Sequence, residues 1–501
     1  HRNMLPRRCA SRCVLVDWII VFFFLLVHSL DAFSVSHPPA STHSGAPAVI
    51  PDPLSAAYPQ QPPHSGCHFL PVHPGTPTNH QGPRQSKRFF EGWYYRITLP
   101  DTNASFAFIF SIEDPFLEPS QLSLSCHQIM GPDDDYLVQA DRDPTKFWAW
   151  RHQQGLGCVF QYNNHDNNDA STADLRTVTA MDPDEFTSRV ESGFQMLPTR
   201  LQGKLIGHDG SRGGVFDGQG VAGQCTYDME ITPIAGWGDE DLGQKSTAGW
   251  LASYKVFEPH WQVTMADGRA TGSVTWKGKV YNFVNAPFYA EKNWGGAFPI
   301  KWYWCQCNSF EGYMAPGGPT LSVTAGGGTR KIPLGQKESL GMVSVHYNGK
   351  FYEATPWLGT MQWNISTWGY WKMTGRSTKG ARPFEVQLEA ICESPGVKLR
   401  APTEKEGMQY FCRDSFHGNV KLSLWELQRD PVTNLHVRGA LLINNATSSQ
   451  AAVEVGGGPW WDSWIDVSVM KQPMRSLVRL PYRLANLKNR LMTKVTRIKE
   501  T

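Results

Sequence analysis

Between Arg88 and Trp464 apolar and polar residues alternate in short runs, and long helical periodicity is almost absent. Phe89-Phe90-Glu91-Gly92-Trp93-Tyr94-Tyr95-Arg96-Ile97-Thr98 is aromatic and β-branched and predicts a strand. A turn over 99–103 leads into a returning strand, 105–112, with Phe106, Phe108 and Phe110 on one face, and Glu113-Asp114-Pro115 closes it. Two dipeptides favour the turns that match strand twist: Asp267-Gly268, between 261–264 and 272–276, and Asn348-Gly349, between 343–347 and 350–352. Val420, Leu422 and Leu424 alternate with Lys421 and Ser423, as in another half-buried strand. Asp182-Pro183 starts one short helix over 182–190. The pattern predicts an all-β chain of antiparallel barrels or sandwiches. A faint echo, Gly92-Trp93-Tyr94-Tyr95 against Lys301-Trp302-Tyr303-Trp304, divides it into two β units, 88–298 and 299–470.

The two ends follow other rules. Arg7, Arg8 and Arg12 precede an apolar run from Val14 to Val27, and Leu30-Asp31-Ala32 follows it, so 1–32 reads as a signal peptide with Met4 as the expected initiator. Residues 33–87 are rich in Pro, Ser and His with Asp52 as an isolated acid, which predicts a disordered, transit-like segment. A signal followed by Phe33 and an acid-poor tail resembles the two-part leader of algae with secondary plastids; the alternative is a secreted protein with a Pro-rich linker. At the other end, Leu477, Leu480, Leu484, Leu487, Leu491, Val495 and Ile498 recur three or four apart among arginines and lysines. That predicts a basic amphipathic helix within 471–501, either packed on the protein or lying on a membrane or lipid-droplet surface.

Composition narrows the function. A net charge of +2 gives no electrostatic reason to expect nucleic acid as a partner. With 12% aromatic and only 18% charged residues, the chain suits an aromatic-lined apolar cavity, or a β-rich core. The ten cysteines form no paired framework, which fits a reducing compartment. Cys305 and Cys307 share a strand face and form a possible metal pair, but no second Cys or His pair stands at zinc spacing. No metal is therefore expected.

The chemistry concentrates in 285–310, NAPFYAEKNWGGAFPIKWYWCQCNSF, where Glu291 stands beside Lys292 and Asn293 among Tyr289, Trp294, Trp302, Tyr303 and Trp304. An acid among large rings is placed for a perturbed pKa. The plainer reading is a strand, a Gly-Gly turn and a strand whose aromatics are core.

Ordered blocks then match a known family. FFEGWYYRIT, SIEDP, GWGD (236–239), QKSTAGW (244–250), FEPHWQ (257–262), YAEKNWGGAFPIKWYWCQCN, TAGGG (324–328), PWLGTMQW (356–363), WGYW (368–371), LRAPT (399–403), CRDS (412–415) and AAVEVGGGPWW (451–461) resemble tocopherol cyclase, in order from about 88 to 465. The resemblance implies two lipocalin-like β units, a plastid enzyme, and no redox cofactor or metal. It implies an isomerase that closes the chromanol ring of a prenylated benzoquinol, at a plastoglobule or thylakoid surface.

Such closure needs a proton delivered to the trisubstituted prenyl double bond, after which the phenol oxygen captures the tertiary cation. A carboxyl kept neutral by an apolar site can donate it, ring faces can stabilise the cation, and water must be kept out. The Tyr-x-Asp-His-Asn-Trp-Gly block of carotenoid hydratases is distantly similar to Tyr289-Ala290-Glu291-Lys292-Asn293-Trp294-Gly295, and that likeness carries the acid to Glu291. The expected site is Glu291 as general acid with Tyr289 and His260, and Trp261, Trp294, Trp302, Trp304 and Trp93 around the substrate. Glu91 is the reserve acid, and Glu113 a further one more simply read as a rim ion pair. Two other functions remain open on the sequence: a non-catalytic carrier of prenyl quinones or carotenoids, and an isoprenoid hydratase. A carboxyl inside the cavity speaks against the first, and a dry pocket against the second.

Overall fold

The computed structural model describes residues 61–69 and 88–480, apart from 116–120, 164–178, 208–222, 255–257, 316, 332–335, 380–381, 469, 471 and 473. The expected signal peptide and the rest of the transit-like segment lie outside the described residues, as does the tail beyond 480.

The alternating pattern becomes two antiparallel sheets of eleven strands each. The first contains β1 (Phe90–Leu99), β2 (Ala104–Glu113), β3 (Leu124–Met130), β4 (Tyr136–Asp141), β5 (Phe147–Ala149), β6 (Leu156–Tyr162), β7 (Val190–Leu197), β8 (Arg200–Gly207), β9 (Gly223–Ala235), β10 (His260–Trp276) and β11 (Lys279–Gly295). Its order is β4-β3-β2-β1-β11-β10-β9-β8-β7-β6-β5. The second contains β12 (Lys301–Cys307), β13 (Leu321–Lys331), β14 (Lys337–Tyr347), β15 (Lys350–Ala354), β16 (Gly359–Ile365), β17 (Tyr370–Ser377), β18 (Phe384–Ile391), β19 (Val397–Thr403), β20 (Gly407–Arg429), β21 (His436–Gly457) and β22 (Trp464–Ser468). Its order is β15-β14-β13-β12-β21-β20-β18-β17-β16-β22, with β19 paired to β20. The all-β expectation holds. The first sheet ends at Gly295 and the second begins at Lys301, and both belong to one compact body, Leu54–Thr501.

The echo in the sequence marks equivalent strands. β1 opens a four-strand meander and pairs with the long β11; β12 opens another and pairs with the long β21. Each sheet curls around its own apolar core. Phe106, Phe108, Phe110, Phe194, Tyr227 and Phe288 fill the first, and Tyr303, Trp363, Trp371, Phe384, Leu422 and Leu424 fill the second. Because side chains alternate across a strand, the opposite faces of β1, β11, β12, β20 and β21 meet in a third cluster between the sheets, a seam that holds Tyr289, Trp304, Trp237, Phe351 and Phe416. The seam also buries Arg96, whose guanidinium donates to Gln306 Oε1 at 2.7 Å and to the Gln450 carbonyl at 2.5 Å.

Three local expectations meet their test here. Asn348-Gly349 is the β14–β15 turn, with φ of 49° and 73°. The short helix is α1 (Pro183–Arg189), capped by Asp182, whose side chain accepts from the Asp184 N–H at 3.0 Å. Asp267-Gly268, expected as a turn, instead lies inside β10, and the β10–β11 turn is Lys277-Gly278. β10 bulges around Asp267, and its buried carboxylate accepts from Arg269 at 2.5 Å and Asn308 at 3.2 Å. Those donors do for the aspartate what turn geometry would otherwise do.

The segment 61–69, expected to be disordered, is packed. Cys67 N–H donates to the Trp150 carbonyl at 2.8 Å, and Phe69 sits against Phe89 and Phe147. Its backbone covers a fully buried ion pair: Lys292 Nζ lies 2.5 Å from Glu91 Oε1, and donates to the Gly66 carbonyl at 2.6 Å, while His68 N–H donates to Glu91 Oε2 at 2.8 Å. Two buried charges need every remaining donor and acceptor met, and 61–69, though polar in composition, is ordered by meeting them. The root of the tail is also packed: in α2 (Met474–Val478), Val478 joins Leu251, Trp357, Leu358 and Met470 in one apolar cluster, and Trp250 Nε1 donates to its carbonyl at 3.0 Å.

Removing the cover has a measurable consequence. A chain beginning at Arg88 should unfold at lower urea than one beginning at Gln61, by roughly 2–4 kcal/mol for the lost burial and hydrogen bonds. Equal midpoints would mean that 61–69 contributes nothing to the fold.

Candidate active site

β11 sets the site by its period of two. Tyr289, Glu291 and Asn293 point into the seam, while Ala290, Lys292 and Trp294 point to the other face. β10 places Trp261 opposite Asn293, and β12 brings Trp302 and Trp304 from the second sheet. Three donors converge on Glu291 Oε2: Tyr289 OH at 2.6 Å, Trp261 Nε1 at 2.8 Å and Trp304 Nε1 at 3.1 Å. Among the described residues Oε1 has only the Asn293 amide, at 3.5 Å. Burial pushes this carboxyl up from 4.5 to about 7, and the donors from Tyr289, Trp261, Asn293 and Trp304 pull it back.

Glu291 lines a cavity between the sheets with an empty volume of about 1070 Å³, counted out to open solvent. Trp261, Trp302, Trp304, Phe298, Met342 and Trp357 form much of its wall, and Gly326, Gly327 and Gly328 of β13 a bare stretch. The cavity lies in the seam and not inside either curled sheet, whose interiors are filled by side chains.

Of the expected residues, the fold brings Glu291, Tyr289, Trp261, Trp302 and Trp304 together. His260 reaches the cavity edge with its ring 4.8 Å from Trp294, and burial, then His64 and Arg330, hold its imidazole down at about 4, so it is neutral at pH 7. Trp294 and Trp93 stand elsewhere. Trp294 stacks on His68 at 4.0 Å on the far face of β11, and Trp93 packs on Phe147 in the first core. Both lie under the ammonium of Lys292, 5.0 and 5.6 Å from the two ring centroids. Glu91 shares that face with its Lys292 partner and does not line the cavity; burial raises it while Lys292 opposes the rise. Glu113 is bonded to Arg88, an ion pair as the plainer reading had it, and burial lifts it to about 7. A one-residue step along a strand explains the split, since neighbours serve opposite faces.

Sequence reasoning missed two acids behind the cavity. Glu454 of β21 accepts from Trp302 Nε1, and burial raises it to about 7; Asp414 of β20, its register partner, is lifted by burial, then by Glu454 and Asp134. The signal was there: Glu454 is an acid alternating with apolar residues in AAVEV. Cys305 and Cys307 lie in the second core, and among the described residues no group of three or more His, Cys, Asp or Glu is placed to hold a metal.

Comparison with known proteins follows the same region. A family model described as tocopherol cyclase-like matches residues 87–457. A rice protein (Oryza sativa subsp. japonica) named "Probable tocopherol cyclase, chloroplastic" is 40% identical over 449 residues, 87% of each chain. The Zea mays protein named "Tocopherol cyclase, chloroplastic" is 38% identical over 466 residues, 91% of this chain and 90% of its own. Among solved structures, kievitone hydratase from Nectria haematococca covers 80% of this chain and 98% of its own at 10% identity, with a TM-score of 0.36 that is too low to carry an argument.

The raised carboxyl has a sign in stability. The folded state holds the Glu291 proton to about pH 7, whereas an unfolded chain releases it near 4.5. Stability from this group is therefore complete below 4.5 and is lost as pH rises through 7. Relative to Glu291→Gln, the parent should lose about 3 kcal/mol of unfolding free energy between pH 4 and 8. Parallel pH curves for the two proteins would show that Glu291 is an ordinary carboxylate.

Proposed function

The chain belongs to the tocopherol cyclase-like family, and we propose that it closes the chromanol ring of a prenylated benzoquinol with Glu291 as the general acid. The observation that carries the assignment of the acid is a buried carboxyl lining an aromatic cavity with one oxygen saturated. With Oε2 accepting from three donors, the proton belongs on Oε1, beside Asn293, which also lines the cavity. Oε1–H gives its proton to the less substituted carbon of the prenyl double bond, and the tertiary carbon becomes cationic. The ring oxygen forms the new C–O bond, and its proton returns to the carboxylate. One proton is lent and one recovered, so the product is an isomer of the substrate.

The surroundings support each step. The indoles of Trp261, Trp302 and Trp304 line the cavity, where aromatic rings can stabilise a cation. The same Trp261 and Trp304, with Tyr289, stabilise the carboxylate left after transfer, which makes a raised acid a competent donor. His260, neutral by burial, is no rival acid at pH 7. A carrier has no use for a carboxyl that costs free energy to bury.

Residence in plastids accords with the names of the plant relatives. A lipid surface is the source of so apolar a substrate, and the root of the basic tail lies beside the cavity: Met470 lines it and packs with Val478. Ile465 of β22 and Trp461, in the connection before it, are 73% and 83% exposed and add apolar surface. On this reading the basic run of the tail meets a membrane or lipid-droplet surface on the side of the cavity where its root packs.

Purified protein supplied with a phytyl benzoquinol should yield the chromanol. Glu291→Gln should lower turnover by about a hundredfold to ten-thousandfold, while Glu291→Asp keeps part of it. Turnover should be full below pH 7 and fall about tenfold per pH unit above it, because the donor must be protonated. A Gln variant within about threefold of the parent removes Glu291 from the mechanism. Binding without conversion by the parent would indicate a carrier.

A further inference from the structure

The TAGGG block lies along β13 beside the cavity. Its three glycines face the aromatic run of β12 in register: Gly326 opposite Trp304, Gly327 opposite Tyr303, and Gly328 opposite Trp302. None of the three has a positive φ, so the backbone accepts any side chain at these positions. Packing explains Gly327, where a Cβ would stand 2.7 Å from the Tyr303 ring, and constrains Gly328, where it would stand 3.1 Å from Pro299. At Gly456, across β12, a Cβ would run into the Trp302 ring at 2.0 Å.

Gly326 is different. A Cβ there would meet Trp261 at 3.4 Å and Trp304 at 3.5 Å, ordinary contact distances. The fold has room for a methyl at 326, and glycine inside a strand costs stability. The room belongs to the cavity, and the two rings beside it are the two indoles that donate to Glu291 Oε2. Whatever occupies that space stands next to the acid.

We propose that Gly326 determines specificity for a folded substrate: its bare backbone leaves space for the first isoprene unit to turn back over the quinol ring. The inference rests on the cyclisation reading. An extended prenyl chain keeps the phenol oxygen away from the tertiary carbon, and closure to a six-membered ring needs the compact conformer held in place. That conformer is broad beside the reacting carbons, since the tertiary carbon carries a methyl group. A side chain at 326 takes the same volume.

The test separates a lost slot from lost structure. Gly326→Ala should unfold at the same or higher denaturant than the parent, because the added methyl fits and restricts the unfolded chain. It should bind the open phytyl benzoquinol within about threefold of the parent, bind the chromanol product at least tenfold more weakly, and turn over about tenfold more slowly. Gly326→Val should lose a hundredfold or more of turnover. Parental turnover and chromanol binding in the Ala variant would overturn the proposal, as would a loss of turnover matched by a lowered unfolding midpoint. If the parent itself forms no chromanol, the cyclisation reading fails, and the two binding measurements still decide whether 326 discriminates closed from open ring.

Discussion

Three hydrogen bonds to one carboxylate oxygen organise this protein. Glu291 Oε2 draws donors from β10, β11 and β12, and so ties the first sheet to the second. A carboxyl in a buried seam must be either neutral or well solvated by fixed donors. Here the donors stabilise the ionised form while burial favours the neutral one, and the balance lies near neutrality at about 7.

The seam is the unusual core. In the curled sheets, apolar residues pack inward as in any β protein, but the faces turned toward each other carry Arg96, Glu291, Asp414, Glu454 and Gln306 as well as rings. Buried polar groups of this kind fix register, because each demands its own partner. Arg96 reaches Gln306 and Gln450 on the second sheet, and Tyr94 meets the edge of the Trp304 ring at 5.2 Å. The cavity opens in this seam because aromatic residues of β12 stand opposite glycines of β13.

A buried charge pair stands on the reverse face of β11. Lys292 and Glu91 are capped by the backbone of 61–69, and the stacked rings of His68, Trp294 and His260 close over them. One strand thus carries two opposite electrostatic solutions at adjacent residues. Burial raises both carboxyls, but Lys292 opposes the rise at Glu91, whereas among the described residues no cation pairs with Glu291.

The sequence by itself determined the all-β class, since alternation and much of the turn chemistry are local. Asn348-Gly349 and Asp182-Pro183 adopt the structures their own side chains favour. It also pointed to the family, through the ordered blocks from about 88 to 465, and to Glu291 as the candidate acid, through its place in a run of rings. Tertiary structure decided what depends on distant partners. Asp267-Gly268 stayed in a strand because Asn308 and Arg269 satisfied the aspartate. Residues 61–69 folded because a buried lysine needed the Gly66 carbonyl. Trp93 and Trp294, aromatic neighbours in sequence of true seam residues, turned to the other face and left the cavity to Trp261, Trp302 and Trp304. Period two gives the parity of a strand from sequence, but which parity faces a second sheet is set only when that sheet arrives.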